Sequence, residues 1–521
     1  GETGPVEGKA TRNESASPTS GRAGESGHGE SPKRCARRTG GPRRTAHPGP
    51  GRWCSAAARG GCSPCGGGRV SLSVAQAQIG GTAPVPEFTG RTGEVLQRLN
   101  HLYPALIDLS LGRLEGLLAR LGHPERKLPP VIHVAGTNGK GSTCATLRAI
   151  AEAAGWRVHV MTSPHLVDVT ERFRIAGHLV SEAELVATLE EIERVNDGAP
   201  ITVFEVLTAA GFVLFARHPA ELAIIEVGLG GRCDATNVLE RPAACIVTAI
   251  SRDHEAFLGD SLAAIAAEKA GIFKPGVPAV TGSQPAVVMQ VLAAQAHAVG
   301  APLARRGVEW SIAPLPASAD KSAGLRLTDA QGTLDLPMPA LAGPWQMENA
   351  VLAVEALRLS GLALPQTAWQ GVGQVQWPAR MQRLHGHLAA LLPVGWELWL
   401  DGGHNPGAGV ALAQELTHWK DRPLHMLVGM KQTKDASGFL GPLLPHADDL
   451  WAICEPEQHL ALPAQAIVEA SGGKAHVGPT LAQALTALAA QAQPEHPARV
   501  LICGSLYLAG VALRQDGWVV R

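Results

Sequence analysis

The fold turns on Val131-Ile-His-Val-Ala-Gly136-Thr-Asn-Gly-Lys140-Gly-Ser142. Residues 131–134 read as a short buried strand. The strand runs into a turn in which Gly136, Gly139 and Gly141 let the backbone approach a ligand closely. A helix follows and points the free N–H groups of its first turn at an anion. Lys140 adds a positive charge suited to the β- and γ-phosphates of a nucleotide, and Ser142 brings a hydroxyl of the kind such loops place near Mg²⁺. The spacing departs from the general G-x-x-x-x-G-K-[ST] pattern, because Val134 stands where the first glycine belongs. A glycine turn without a ligand explains the letters less well than a phosphate loop does, given the strand before it and the helix after it.

The same alternation continues outward. Leu111, Leu114, Leu117, Leu118 and Leu121 share one helical face, with Asp108 or Ser110 as the expected cap and Gly122 as the stop. The helix after the loop ends at Gly155, and a strand over 157–161 follows. Ser181 and Glu184 form an expected capping box. A helix over 204–217, strands over 222–227 and 244–250, and a helix capped by Ser261 that carries Glu268 and Lys269 complete the pattern. Alternating strands and helices imply an α/β fold with a parallel sheet covered on both faces. Residues 305–340 read as a small β excursion, with strands at 325–328 and 333–336. After a helix over 345–360 the pattern resets near Trp377-Pro378, and strands at 396–400, 424–428, 449–453 and 500–503 form a second, smaller α/β region. The expected division is a tail over 1–90, a domain over 91–378 and a domain over 379–521.

The tail differs in composition from the rest. It is rich in Gly, Pro, Ser and Arg, shows no hydrophobic period, and is expected to be disordered. Met161 is the first methionine, so the tail reads as an upstream extension of the reading frame rather than a working part. Cys62-Ser-Pro-Cys65, with Cys35 and Cys54, mimics a zinc knuckle, but incidental cysteines are the better reading. No apolar run is long enough to span a membrane, and the start lacks a signal-peptide core. A net charge of −1 supplies no global field for nucleic acid, so an anionic substrate has to be held by local groups. Scattered single cysteines fit reduced thiols in the cytoplasm.

Three further strand ends carry chemistry. Glu226 closes the 222–227 strand on the edge where open α/β sheets bind ligands, and its carboxylate suits a hard cation. Asp253-His254 follows the next strand, and Ser163-Pro164-His165 follows the 157–161 strand. Each residue alone is more simply a solvated or structural side chain. Ser163, Glu226 and His254 from three neighbouring strand ends make a coherent Mg²⁺ set. Lys269, judged alone, is a solvated helix-end lysine.

Together these motifs resemble the folylpolyglutamate synthase/dihydrofolate synthase family, a branch of the Mur ligases. The matching stretches are 134–143 (VAGTNGKGST), 162–166 (TSPHL), 202–208 (TVFEVLT), 226–238 (EVGLGGRCDATNV), 253–259 (DHEAFLG), 268–276 (EKAGIFKPG), 401–406 (DGGHNP) and 503–510 (CGSLYLAG). The resemblance implies a P-loop Mur-ligase-type N-terminal domain and a Rossmann-like C-terminal domain with the active site between them. It implies ATP phosphates on Gly136, Thr137, Asn138, Gly139, Lys140, Gly141 and Ser142, and further ATP contacts from Asn349, Arg380 and Asp401. It implies Mg²⁺ on Ser163, Glu226 and His254, catalytic roles for Lys140, His254 and Lys269, and carbamylation of Lys269 to N6-carboxylysine. It implies pterin-side contacts at His101, Leu102, Tyr103 and Pro104, at Thr202, Val203, Phe204 and Glu205, and at Cys233, Asp234 and Ala235. The implied reaction joins L-glutamate to dihydropteroate, to a (poly)glutamyl tetrahydrofolate, or to both, through an acyl phosphate made at the expense of ATP. The implied enzyme is a monomer that binds these small molecules and neither nucleic acid nor membrane.

Departures from the family pattern fall in the C-terminal part. Ala379 stands where the family usually has Gly, Gly403 replaces a common Ala, and residues 429–435 fit loosely. A cell-wall Mur ligase acting on a UDP-linked sugar acid needs a folded domain ahead of the phosphate loop, and only residues 91–135 lie between the tail and Gly136. A non-catalytic ATP-binding regulator predicts loss of Lys140, Glu226, His254 or Lys269, and all four are present.

Overall fold

The computed structural model describes residues 87–103, 108–317, 322–492 and 496–520. All of them belong to a single unit, Ser63–Arg521. The readings for residues 1–86, the four tail cysteines among them, and for Pro104 lie outside the described residues.

The first sheet holds eight strands: β1 Val131–Ala135, β2 Val158–Met161, β3 Phe173–Ile175, β4 His178–Leu179, β5 Leu222–Glu226, β6 Ala244–Val247, β7 Ala279–Thr281 and β8 Leu303–Arg305. Their order is β4-β3-β2-β5-β1-β6-β7-β8. The run from β2 to β8 is parallel, as the alternation implied. β3 and β4 turn back antiparallel. They hinge on Ala176 (φ +49°) and Gly177 (φ +92°), the pair of left-handed residues that a tight hairpin needs.

Side chains alternate across the sheet, and both faces are apolar. Ile132, Val134, Leu222 and Ile224 face the helices Lys140–Ala153 and Pro344–Leu359. Val131, Ala223 and Ile225 face the helix Val203–Arg217 with Phe212 and Phe215. A parallel sheet buried on both sides requires such continuous apolar runs. Glu226 is the first charged residue after one of them, which fixes it at the sheet's C-terminal edge.

Some local expectations fail for identifiable reasons. The helix Gly112–Arg120 starts at Leu111 with no side-chain cap; the Asp108 carboxylate instead accepts from the Tyr103 hydroxyl at 2.6 Å and Arg113 Nη1 at 2.9 Å. Ser181 does cap the helix Glu182–Asn196, but Glu184 pairs with His218 at 2.7 Å, so only one arm of the box forms there. Both arms form at Thr202/Glu205 and at Asp168/Glu171. Strand β6 ends at Val247, three residues short of the expected end. Glu87 lies within the expected tail, yet it accepts from Arg172 Nη2 at 3.0 Å and from the Tyr507 hydroxyl at 3.2 Å.

The β excursion has three strands, β9 Ser311–Leu315, β10 Gly324–Asp329 and β11 Gly332–Pro337, one more than expected. Leu325, Leu327, Leu334 and Leu336 tie it to the first core. The second sheet comprises β12 Gln382–Leu384, β13 Glu397–Leu400, β14 Leu424–Val428, β15 Asp449–Ile453, β16 His476–Gly478 and β17 Arg499–Cys503, in the order β12-β13-β17-β14-β15-β16. All are parallel except β12. Its buried cores draw only on residues from 379 onward, with Leu166, Val167 and Trp345 packed against them. Among the described residues no helix is long and apolar enough to cross a membrane.

Candidate active site

The C-terminal ends of β1, β2, β5 and β6 open on one cleft of about 2090 Å³, walled on the other side by the second sheet. The loop after β1 is fixed from below. The N–H groups of Thr137 and Asn138 both donate to Ala249 O, at 3.0 and 3.1 Å. Gly136 (φ +147°) has no room for a side chain, since a Cβ would fall 1.8 Å from Thr248 Oγ1. Gly139 (φ +91°) forms the uncapped start of the helix Lys140–Ala153, and a Cβ there would meet Asn349 Oδ1 at 2.3 Å. With no side chain as cap, the helix N-terminus is left to hold an anion.

The charged centre lies beside that loop. Lys140 Nζ sits 3.8 Å from Glu226 Oε1 and donates to Thr137 O at 3.3 Å. The Ser163 N–H donates to Glu226 Oε2 at 3.3 Å. Burial pushes the Glu226 carboxyl up, and Lys140 pulls in the opposite direction. Ser142 Oγ is buried without a hydrogen-bond partner. A desolvated carboxylate, a serine and an orphaned hydroxyl on one rim suit a hard, oxygen-seeking cation. His254 lines the same cleft, but it reaches neither Glu226 nor Ser163 with a hydrogen bond. Its neighbours are Lys434 Nζ at 3.4 Å and Asp253 Oδ1 at 3.8 Å. Among the described residues no three His, Cys, Asp or Glu side chains form a metal-holding group.

Lys269 is not the solvated lysine expected from its letters alone. It is 4% exposed and donates to Gly136 O at 2.9 Å. Burial, and then the charge of Lys140, bring its amine down to about 7. Asp253 faces Lys434 Nζ at 2.6 Å and the His404 imidazole, whose Nε2 lies at 3.7 Å. Burial works against its ionisation, but His404, Lys434 and His254 outweigh it and hold the carboxyl well below the usual range.

Arg380 and Asp401 line the cleft from the opposite wall, and Asn349 lines it from the helix Pro344–Leu359 beside the phosphate loop. Arg380 Nη1 donates to Ala379 O at 2.7 Å, and Asp401 accepts from the N–H groups of Met381 and Gly403 at 2.9 and 2.7 Å. Ala379 (φ +54°) and Met381 (φ +42°) are left-handed on either side of Arg380. That conformation is easier for the glycine the family usually carries at 379.

Of the residues that the resemblance gives to the pterin, Thr202, Val203, Phe204, Glu205, Cys233, Asp234 and Ala235 line the cleft. The Phe204 ring lies against Gly228, where a Cβ would come within 2.2 Å of Cζ. Asp234 is already engaged, accepting from the N–H groups of Leu229 at 2.8 Å and Thr236 at 3.0 Å. His101, Leu102 and Tyr103 lie between Asn100 and Asp108, which line the cleft, and make contacts of their own. His101 Nδ1 bonds Gln97 O at 2.6 Å at the end of the helix Gly90–Asn100, Leu102 packs into the apolar core, and Arg113 stacks over the Tyr103 ring. Asn405, Lys434 and Trp377 were not assigned roles from sequence. Asn405 belongs to the 401–406 stretch that carries the resemblance, and Trp377 stands where the pattern resets; the Trp377 indole lies within 3 Å of where a Cβ on Gly141 would fall.

Two family models match the chain, "Mur ligase middle domain" over residues 134–282 and "Dihydrofolate synthetase, C-terminal domain" over residues 389–515. The dihydrofolate synthase/folylpolyglutamate synthase of Escherichia coli (strain K12) is 36% identical over 428 residues, which cover 81% of this chain and 94% of that protein. The solved structure of E. coli FolC in complex with DHPP and ADP aligns with a TM-score of 0.73 and 34% identity, covering 83% of this chain and 97% of that one. A crystal structure of a bifunctional folylpolyglutamate synthase/dihydrofolate synthase with Mn, AMPPNP and L-glutamate bound aligns with a TM-score of 0.70 and 33% identity, covering 83% and 98%.

Proposed function

The chain belongs to the dihydrofolate synthase/folylpolyglutamate synthase family, and from that premise we propose that it uses ATP to join the amino group of L-glutamate to the carboxylate of dihydropteroate and of (poly)glutamyl tetrahydrofolates. The observation that carries this reading is the meeting of Lys140, Glu226 and the Ser163 N–H at adjacent strand ends, inside one cleft between two α/β sheets.

The substrate carboxylate attacks the γ-phosphorus of ATP and releases ADP; the glutamate amine then attacks the acyl carbon of the acyl phosphate, forming the amide and releasing inorganic phosphate and a proton. This chemistry asks the protein for positioning and charge rather than for a covalent partner. The uncapped helix start and Lys140 hold the phosphates and face the charge that develops on them. Ser163 and Glu226, with Ser142 or His254 to complete the set, are the residues fitted to hold Mg²⁺, which supplies further neutralisation of phosphate charge when bound. Asn349 contacts the nucleotide from beside the phosphate loop, and Arg380 and Asp401 contact it from the far wall. Phe204 offers the pterin a stacking face, with Thr202, Val203, Glu205, Cys233, Asp234 and Ala235 around it. Lys269, with an amine near 7, exposes enough neutral base to add CO₂ and become N6-carboxylysine. Two walls around the cleft exclude water from the acyl phosphate.

We place the domain boundary at 378/379, where the apolar cores change over, and assign the enzyme to the cytoplasm as a monomer. The test is glutamate-dependent phosphate release with ATP and either dihydropteroate or tetrahydrofolate. Release with both supports both activities, release with one restricts the assignment to that one, and release with neither rejects the reading.

A further inference from the structure

Asn405 is 1% exposed, and its amide uses its full hydrogen-bonding capacity. Oδ1 accepts from the Ala408 N–H at 2.9 Å and from Asn138 Nδ2 at 3.0 Å. Nδ2 donates to Asn138 Oδ1 at 2.9 Å and to Asp253 Oδ2 at 3.0 Å. The orientation of the amide is therefore determined. A flip would set the NH₂ against the Ala408 N–H and the carbonyl against the Asp253 carboxylate. Asn405 also begins the helix Pro406–Leu416 of the second sheet, as its N-cap. Asn138, in turn, is a member of the phosphate loop, and its Nδ2 also reaches Ser251 Oγ at 3.1 Å. The next contact closes the seat without spare room: a Cβ on Gly407 would lie 2.6 Å from Ser251 Oγ and 3.0 Å from Asn138 Nδ2.

We propose that Asn405 is a positioning residue for phosphoryl transfer, an amide clasp through which the second sheet sets the phosphate loop by way of Asn138 and Asp253. The inference rests on the ligase reading above and adds a role within it. Asn405 touches no reacting group. It fixes a loop side chain on one side and, on the other, the carboxylate that Lys434 and His404 flank. The loop thereby reaches its working geometry only when the second sheet is seated against it. A displacement of about 1 Å at such a site costs on the order of 100-fold in rate.

Two single variants separate positioning from simple stability. Asn405→Ser keeps an oxygen for the helix cap but removes both amide donors. Gly407→Ala keeps Asn405 and suits a helix, yet wedges Ser251 and Asn138 apart. Both are expected to lose about 100-fold in kcat with little change in KM for ATP and with melting temperatures close to the parent. Combining Asn138→Ala with Asn405→Ser is expected to cost no more than the worse single change, because the two act through one another. Hydrogen exchange over residues 136–142 is expected to speed up in both single variants. Parental kcat in Asn405→Ser or Gly407→Ala, multiplying effects in the Asn138/Asn405 pair, or unchanged exchange at 136–142 would each overturn the clasp. The exchange measurement needs no turnover, so a parent enzyme inactive toward glutamate would refute the ligase reading and leave the clasp to be judged by exchange.

Discussion

Replacing Lys140 by Met keeps an apolar stem of similar length and removes one charge. In the folded protein that charge lies 3.8 Å from Glu226 Oε1. At an effective dielectric of about 20 a pair at this distance interacts by about 4 kcal/mol. The figure is an upper limit, because Arg380 and Arg172 also favour the Glu226 carboxylate. Two consequences follow from one substitution. Phosphate loses a fixed cation facing the charge that develops on it, worth about 10²- to 10³-fold in kcat by comparison with single oxyanion donors. Glu226 loses its nearest compensation, so burial pushes its carboxyl further up. The ionised form that binds a cation then exists only at higher pH, and the residual activity of Lys140→Met rises toward alkaline pH relative to the parent. The assay is initial phosphate release with saturating glutamate and dihydropteroate across roughly pH 6 to 9, beside a thermal melt to establish folding. Parental turnover would refute the phosphate-loop assignment. Loss of turnover with an unshifted pH profile would refute the coupling of Lys140 to Glu226.

Gly139→Ala places a Cβ 2.3 Å from Asn349 Oδ1 at a φ of +91°; about tenfold weaker binding of an ATP analogue is expected, corresponding to about 1.4 kcal/mol, and partial recovery on adding Asn349→Ala, with unchanged titration curves as the contrary result. Glu355, buried in the helix Pro344–Leu359 beside Asp329, has its carboxyl raised first by burial and then by the Asp329 charge. A carboxyl raised on folding keeps its proton in the native state and loses it in the unfolded chain. Stability therefore falls as pH rises from about 4.5 toward about 8, at up to about 1.4 kcal/mol per pH unit. Glu355→Gln should flatten that slope in urea melts at stepped pH, and an identical slope in the variant would reject the assignment. Lys269, with its amine near 7, should take up CO₂ increasingly as pH rises through neutrality. Native mass spectrometry in bicarbonate should find the added mass of one CO₂ in the parent and not in Lys269→Gln; no added mass in the parent refutes the modification.

Legibility followed the range of the interactions involved. Strands β14 and β15 coincide with the runs read at 424–428 and 449–453, because short, mostly apolar runs in a doubly covered sheet state their own limits. The strands that escaped notice are short or carry strand-weakening residues. β9 contains Pro314, and β16 is His476-Val-Gly478, three residues ending in glycine; both lie at sheet edges, where ladder pairing is least demanding. Glu184 shows the same limit at the level of a cap. Its sequence neighbour Ser181 invited a reciprocal bond, but His218, 34 residues away, took the carboxylate. Local signals propose partners, and tertiary contacts choose among them.

The site divides along the same line. The position of each strand end of the first sheet could be read from sequence, because a strand that stops at a glycine, serine or glutamate places that residue on the sheet's edge, and the chemistry showed once the ends were taken together. Lys269 could not, since its partner is the Gly136 carbonyl of the phosphate loop, 133 positions away. Nor could Asn405, whose partner Asn138 is 267 positions away. At residues 101–103 the resemblance implies pterin contacts, and Asp108 and Arg113, close by in sequence, engage Tyr103. The chemistry thus depends on groups whose environment is created only when two separately legible sheets meet. For that reason changes at Asn405 or Gly407, which leave every strand and helix signal intact, test the assembled site more sharply than changes within the loop itself.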